Sequence, residues 1–175
     1  MNFWLIQAIG FIGSVLAISV LQVNNRKLVL ATQFLCCILW VTHYYLLGAY
    51  TAVIINIFSM GRAVVFYNND KKWAKSRLWF ILFIVLFIIS PILQWEAYYS
   101  IFPALAMVLT TIGLWSHSMK LTRLMFLVNS PFMLAYDILC RSYSCAVIET
   151  IALLSFVLAI WRFDIKKPEK GTEDV

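Results

Sequence analysis

Apolar residues in this chain fall into seven runs long enough to cross a hydrocarbon layer, with polar connections as short as the pair Gly48-Ala49. A spanning helix needs about 17–25 mostly apolar residues. With ends free to move by a few residues, the runs cover 4–23, 28–47, 50–67, 78–93, 100–115, 121–140 and 144–163. They are too long and too continuously apolar for the roughly ten-residue alternating strands of a membrane barrel. Composition agrees. Hydrophobic residues reach 63 % of the 175, and charged residues only 13 %. A soluble domain of this size could not hide so much apolar surface. The fold class is therefore all-α, a polytopic membrane protein with seven transmembrane helices whose partner is the lipid bilayer.

No connection has room for a soluble domain. The longest, 68–77, reads NNDKKWAKSR. The net charge of +6 does not point to nucleic acid, because the basic residues sit in short runs between apolar segments. There they set membrane orientation. With the N-terminus outside and the segments alternating, thirteen of the fourteen Lys and Arg fall inside, all but Arg141. The reading is N-out and C-in. MNFW carries no Lys or Arg before its apolar run, so a cleaved signal peptide is not expected. The four Cys show no metal-ligand spacing. Cys140 and Cys145 flank one turn, either as free thiols or as a bridged pair.

The connections suggest two similar halves. Residues 1–67 form a first three-helix repeat, 68–97 a basic loop and linker helix, 98–163 a second repeat and 164–175 a cytoplasmic tail. A shift of 93 places Lys27 on Lys120, Tyr50 on Tyr143 and Ile55 on Ile148. One helix between the repeats gives both the same orientation, a 3+1+3 parallel arrangement.

At this level the chain resembles the SWEET and PQ-loop transporter superfamily, over roughly 5–67 and 98–163. Within it the chain is most similar to the small bacterial inner-membrane YgjV-like family. Leu21-Gln22 stands where the superfamily has its Pro-Gln pair, while Trp40 and Asn56 match its sugar-stacking Trp and sugar-bonding Asn. No Pro precedes Gln22, and the second half has neither Pro-Gln nor Asn at the matching positions. The resemblance implies a bacterial inner-membrane protein with a periplasmic N-terminus and a cytoplasmic C-terminus. It also implies a facilitator moving a small polar solute, a sugar or similar, by alternating access.

Depth along the helices leads to the same residues independently. Trp40 lies about 10 Å, and Asn56 about 9 Å, from the same end of adjacent helices at 1.5 Å per residue. An indole face and an amide together suit a sugar ring. The alternative is that Trp40 fills a helix interface and Asn56 bonds a backbone carbonyl. His43 and Tyr44 follow Trp40 by three and four residues, so one or both share its face. The shift of 93 places Met133, Tyr136 and Asp137 at the corresponding positions, with Glu149 opposite Asn56. The expected substrate-binding set is Trp40, His43, Asn56, Met133, Tyr136 and Glu149. Asp137 and Glu149 are the candidates for proton coupling, since ionisable groups at membrane depth usually face a cavity or a partner. Asp137 can alternatively face water or pair with Arg141. Gln22, Pro103 and Pro131 are candidate hinges, Pro103 and Pro131 because Pro removes a backbone donor and can bend a membrane helix.

No GxSxG, HExxH or paired-Asp motif is present, so no catalytic residue, metal or cofactor is expected and the chain is not read as an enzyme. A cavity between two repeats suits a facilitator. Two rivals stay open: a proton-coupled carrier of a small amine, amino acid or vitamin, and a non-transporting membrane scaffold.

Overall fold

Capping side chains fix where two of the apolar runs become helix. In the computed structural model, which describes residues 3–21, 25–93, 95 and 97–161, seven α-helices are formed and the described residues contain no strand. They are α1 (Phe3–Leu21), α2 (Arg26–Leu47), α3 (Tyr50–Tyr67), α4 (Arg77–Leu93), α5 (Ile101–Trp115), α6 (Met119–Leu139) and α7 (Tyr143–Ile160). Asn25 starts α2 by accepting from Leu28 N at 3.2 Å, and Ser118 starts α6 by accepting from Leu121 N at 3.4 Å. Each satisfies a donor that a helix N-terminus leaves free. Gly48 ends α2 at φ 78°, a left-handed conformation that glycine adopts without a side-chain clash. A 3₁₀ turn, Tyr98–Ser100, leads into α5. The expected hinge Gln22 lies outside the described residues, as do Arg162 and the tail.

Helices α2, α3 and α7, and α5 with its 3₁₀ turn, are long and apolar enough to cross a membrane. The Phe3–Ser19 stretch of α1 and all of α4 are apolar but shorter. Helix α6 has the length, at 21 residues, but carries Lys120, Arg123, Asn129 and Asp137. Large apolar side chains are exposed around the bundle, Trp4 at 75 %, Leu78 at 74 % and Ile92 at 75 % among them. A soluble monomer rarely exposes contiguous apolar patches beyond a few hundred Å². Lipid is the solvent that suits this surface.

Consecutive helices pack on one another, and α7 returns to α1. Six helices thereby enclose an interior, with α3 meeting α5 directly. Helix α4 lies outside them, packed on α3 and α5. Phe83 and Phe87 anchor it, Phe83 edge-on to Phe66 at 5.9 Å and Phe87 edge-on to Phe58 at 6.4 Å.

Two of the thirteen basic residues counted on the inner side, Arg26 and Arg62, also bond across the bundle. Arg26 donates to Leu114 O at 3.2 and 2.9 Å, and to Phe66 O at 3.3 Å. These carbonyls belong to the last turns of α5 and α3, which lack helical donors and favour a cation. Arg62 is fully buried and donates to Thr111 Oγ1 at 2.7 Å and Met107 O at 3.2 Å. Its guanidinium lies 5.1 Å over the Phe87 ring, which adds a cation–π attraction. Outside the bundle, Lys27 donates to Asp70 at 2.6 Å and holds the Asp70 carboxyl below its ordinary range. Both partners are exposed, where such a pair contributes little to stability.

Helix α1 approaches α2 through glycine. A Cβ on Gly10 would stand 2.7 Å from the His43 ring, whereas one on Gly61 would find its nearest neighbour, Phe83, at 3.7 Å. The His43 ring is pinned at both nitrogens, 2.8 Å from Ile6 O and 2.8 Å from Ser142 Oγ, so it cannot yield. Gly10→Ala is expected to cost about 1–3 kcal/mol through overpacking, read as a lower thermal midpoint in detergent. Gly61→Ala should be neutral or stabilising, because alanine favours helix by about 1 kcal/mol. Equal midpoints for the two variants would contradict the close packing of α1 on His43.

Candidate functional site

Helical periodicity builds the interior surface. On α2, Val29, Gln33, Cys37, Trp40 and Tyr44 recur at three- and four-residue spacing, and on α6 Phe126, Asn129, Met133 and Asp137 do the same. Such residues lie on one helix face. These two stripes, with others from α1, α3, α5 and α7, line a cavity of about 140 Å³. It has room for several waters or one small solute. Helix α4 contributes nothing to the lining.

The lining is largely apolar, and its polar side chains are ordered by hydrogen bonds. Tyr44 Oη donates to Asp137 Oδ1 at 2.6 Å, tying α2 to α6. Trp40 Nε1 donates to Ser14 Oγ at 3.3 Å, and Ser14 Oγ donates to Cys145 Sγ at 3.6 Å, tying α2 through α1 to α7. Ser130 Oγ donates to Glu149 Oε1, and Asn129 Nδ2 donates to Thr110 Oγ1. Asn56 Nδ2 donates to Ala52 O at 2.9 Å within its own helix. Polar groups withdrawn from water need such partners.

Trp40, Asn56, Met133, Asp137 and Glu149, all singled out by the sequence, meet around this cavity. His43 and Tyr136 do not reach it. His43 is buried behind the wall, bridging α1 to the α6–α7 turn, and Tyr136 is buried edge-on between Tyr44 at 6.2 Å and Tyr99 at 6.0 Å. In each half the residue three after the key position, counted from Trp40 or Met133, turns away, and the one four after it lines the cavity. Asp137 is buried against Tyr44 rather than facing water or Arg141. Pro103 lies in the first turn of α5 and borders the cavity. A helix has no partner for its first N–H groups, so Pro there breaks no ladder bond. Pro131 lies inside α6 with its ring exposed, and there it does remove a helical donor. Cys140 and Cys145 are free thiols.

Gln33, Asn129, Ser130 and Thr110 are site residues that sequence reading missed. Gln33 Oε1 is buried without a hydrogen-bond partner among the described residues. The spacing of Asn129 from Met133 and Asp137 was the available signal for it, at four and eight residues. Tyr44 and Asp137 are 93 residues apart. The same offset relates other lining pairs, Trp40 with Met133, Asn56 with Glu149, Ser14 with Met107, Ala17 with Thr110 and Ile55 with Ile148.

Compared with known proteins, the chain matches the family model Imp-YgjV, described as a bacterial inner membrane protein, over residues 4–167. No curated protein and no solved structure matches it.

The pairing between helices gives a direct test. Tyr44→Phe removes one hydroxyl and leaves the Asp137 carboxyl short of a donor, an expected loss of about 1–3 kcal/mol. Tyr44→Phe combined with Asp137→Leu should recover much of that loss in thermal unfolding, because no buried polar group is then unpaired. Losses that simply add would mean that the two side chains do not interact.

Proposed function

We propose that this chain, which belongs to the Imp-YgjV family of bacterial inner membrane proteins, is a transporter that passes a small polar solute through the six-helix cavity by alternating access. The observation that carries the reading is a partly open, largely apolar cavity with Asn56, Asn129, Asp137 and Glu149 on its wall, inside a bundle whose outer surface is apolar. In this reading it acts as a carrier rather than an enzyme. The solute and the bilayer are its partners, and nucleic acid is not.

In the same reading all seven helices cross the membrane, in a 3+1+3 parallel repeat with α4 as linker. The 93-residue offset between lining pairs supports the repeat, as does the position of α4 outside the cavity wall. Parallel repeats with a site at their interface are a recurring transporter design. Short helices cross by thinning the bilayer or by anchoring their flanks, at modest cost. The polar stripe of α6 is compatible with spanning because Asn129 and Asp137 face the cavity while Lys120 and Arg123 lie in its first two turns. The basic end is cytoplasmic by the positive-inside rule.

Alternating access requires the two ends to open in turn. At the Arg141 end the closing contacts are Tyr44 with Asp137 and His43 with Ser142. At the basic end Arg26 joins α2 to the ends of α3 and α5. Pro131 lies between these ends as the hinge candidate. Proton coupling through Asp137 or Glu149 is the second reading, favoured by the presence of two carboxyls on the cavity wall.

Two experiments test the proposal. With all four cysteines replaced by alanine, Trp95→Cys should react with an impermeant thiol reagent in intact cells. Lys72→Cys should react only after permeabilisation. Labelling of Lys72→Cys in intact cells would reverse the orientation. In proteoliposomes screened with sugars, nucleosides, amino acids and amines at two pH values, at least one solute should accumulate. Trp40→Ala and Asn56→Ala should weaken its uptake by about 1–3 kcal/mol without loss of folded protein. If no solute moves and both variants behave as the parent, the scaffold reading replaces transport.

A further inference from the structure

The cavity has a chemical sign. Its wall carries five hydroxyl or indole donors, from Ser14, Trp40, Tyr44, Ser59 and Thr110, and all five are engaged within the protein. Ser14, Trp40 and Tyr44 make the bonds already described. Ser59 Oγ donates to Met107 Sδ at 3.4 Å and Thr110 Oγ1 to Ala106 O at 2.9 Å. The donors left over are the amide of Gln33 and the second hydrogens of Asn56 and Asn129.

The acceptors are arranged the other way. Asn56 and Asn129, only 8 % and 7 % exposed, each donate to the protein and leave Oδ1 without a protein partner among the described residues. Gln33 Oε1 is buried and has no hydrogen-bond partner among the described residues. Glu149 accepts from Ser130 with one oxygen, and its second has no protein partner among the described residues. Asp137 adds a second carboxyl. No Lys, Arg or His is on the wall. Arg62 is turned to α4 and α5, and Arg26 to the helix ends.

Such a wall discriminates between solutes. A sugar hydroxyl can both donate and accept, and here its acceptor side meets only amide hydrogens, those of Gln33, Asn56 and Asn129, while the charge on the wall is all negative. An anion meets two carboxyls and no cation. A protonated amine carries only donors and one positive charge. It can pair with a carboxylate through charge-assisted hydrogen bonds, and the Trp40 face offers it a cation–π surface.

We propose that the cavity selects a small organic cation bearing N–H donors, a protonated amine, and that Glu149 is the residue that sets this selectivity. Glu149 has this role rather than Asp137 because Asp137 is buried, only 2 % exposed, whereas Glu149 keeps part of its surface open. The proposal rests on the transport reading for its flux and on the cavity alone for its binding, so the two fail separately.

The test uses the purified full chain, with ethylamine, ethanolamine and putrescine as cations, glycerol and glucose as neutral probes, and lactate as an anion. Binding is read as thermal stabilisation in detergent and flux in proteoliposomes. At least one amine should stabilise the protein and enter the vesicles, while glycerol, glucose and lactate do neither. Glu149→Gln keeps an acceptor for Ser130 and should weaken amine binding at least tenfold. Glu149→Asp keeps the charge and should retain the preference for amines even if affinity falls, which guards against a Gln variant that is merely misfolded. Amines that bind with this dependence on Glu149 but do not cross would sustain the cation site and overturn transport. Movement of glucose or glycerol in preference to every amine would overturn the cation site and leave transport standing. Amine binding unchanged in Glu149→Gln would overturn the role of Glu149, and no binding by any amine would overturn the site.

Discussion

Hydrocarbon offers no hydrogen bonds, and this bundle is arranged around that constraint. Backbone groups are satisfied inside helices, which is why the described residues form helices and no strand. Side-chain polar groups are turned inward, where they have only one another. Tyr44 with Asp137, Trp40 with Ser14 and Ser130 with Glu149 are the result. Each bond crosses between helices, so satisfying polarity and fixing the relative positions of the helices are the same event.

Two arginines, Arg62 fully buried and Arg26 half-buried, extend this logic. Arg62 has no carboxylate partner among its recorded contacts and is held by a carbonyl, a hydroxyl and an aromatic face. Arg26 covers the carbonyls at two helix ends. Both bring α5 against α2 or α3, where the two halves of the chain meet. Removing either partner from a buried charge is strongly destabilising even when the pair adds little net stability. Their positions therefore resist drift more than those of the exposed Lys27 and Asp70.

The offset of 93 residues was visible in the sequence through a handful of identities. It becomes meaningful where it pairs unlike residues. Asn56 faces the same cavity as Glu149, Trp40 as Met133 and Tyr44 as Asp137. The first half supplies an aromatic plane and an amide, and the second supplies carboxyls. A site made this way has a direction and a charge that neither half has alone. Among the hinge candidates, Pro103 and Pro131 differ for a backbone reason: one lies in a first turn with no ladder bond to lose, the other in a helix interior.

The sequence by itself determined the class of protein, the helices to within a few residues, and that polar residues such as Trp40, Asn56 and Glu149 share a depth. Apolar run length and helical rise are local quantities, so one chain reports them directly. It could not decide between His43 and Tyr44, or between Tyr136 and Asp137. At 3.6 residues per turn, offsets of three and four rotate a side chain about 60° one way and about 40° the other. Which of the two meets the cavity depends on how the neighbouring helices are rotated. Tertiary structure alone decided that Tyr44 and Asp137 face inward, that Arg26 and Arg62 bind α5, and that the wall leaves its amide oxygens and one Glu149 oxygen free while its hydroxyls are engaged. Those outcomes depend on partners from distant parts of the chain, which the spacing of residues along one helix does not encode.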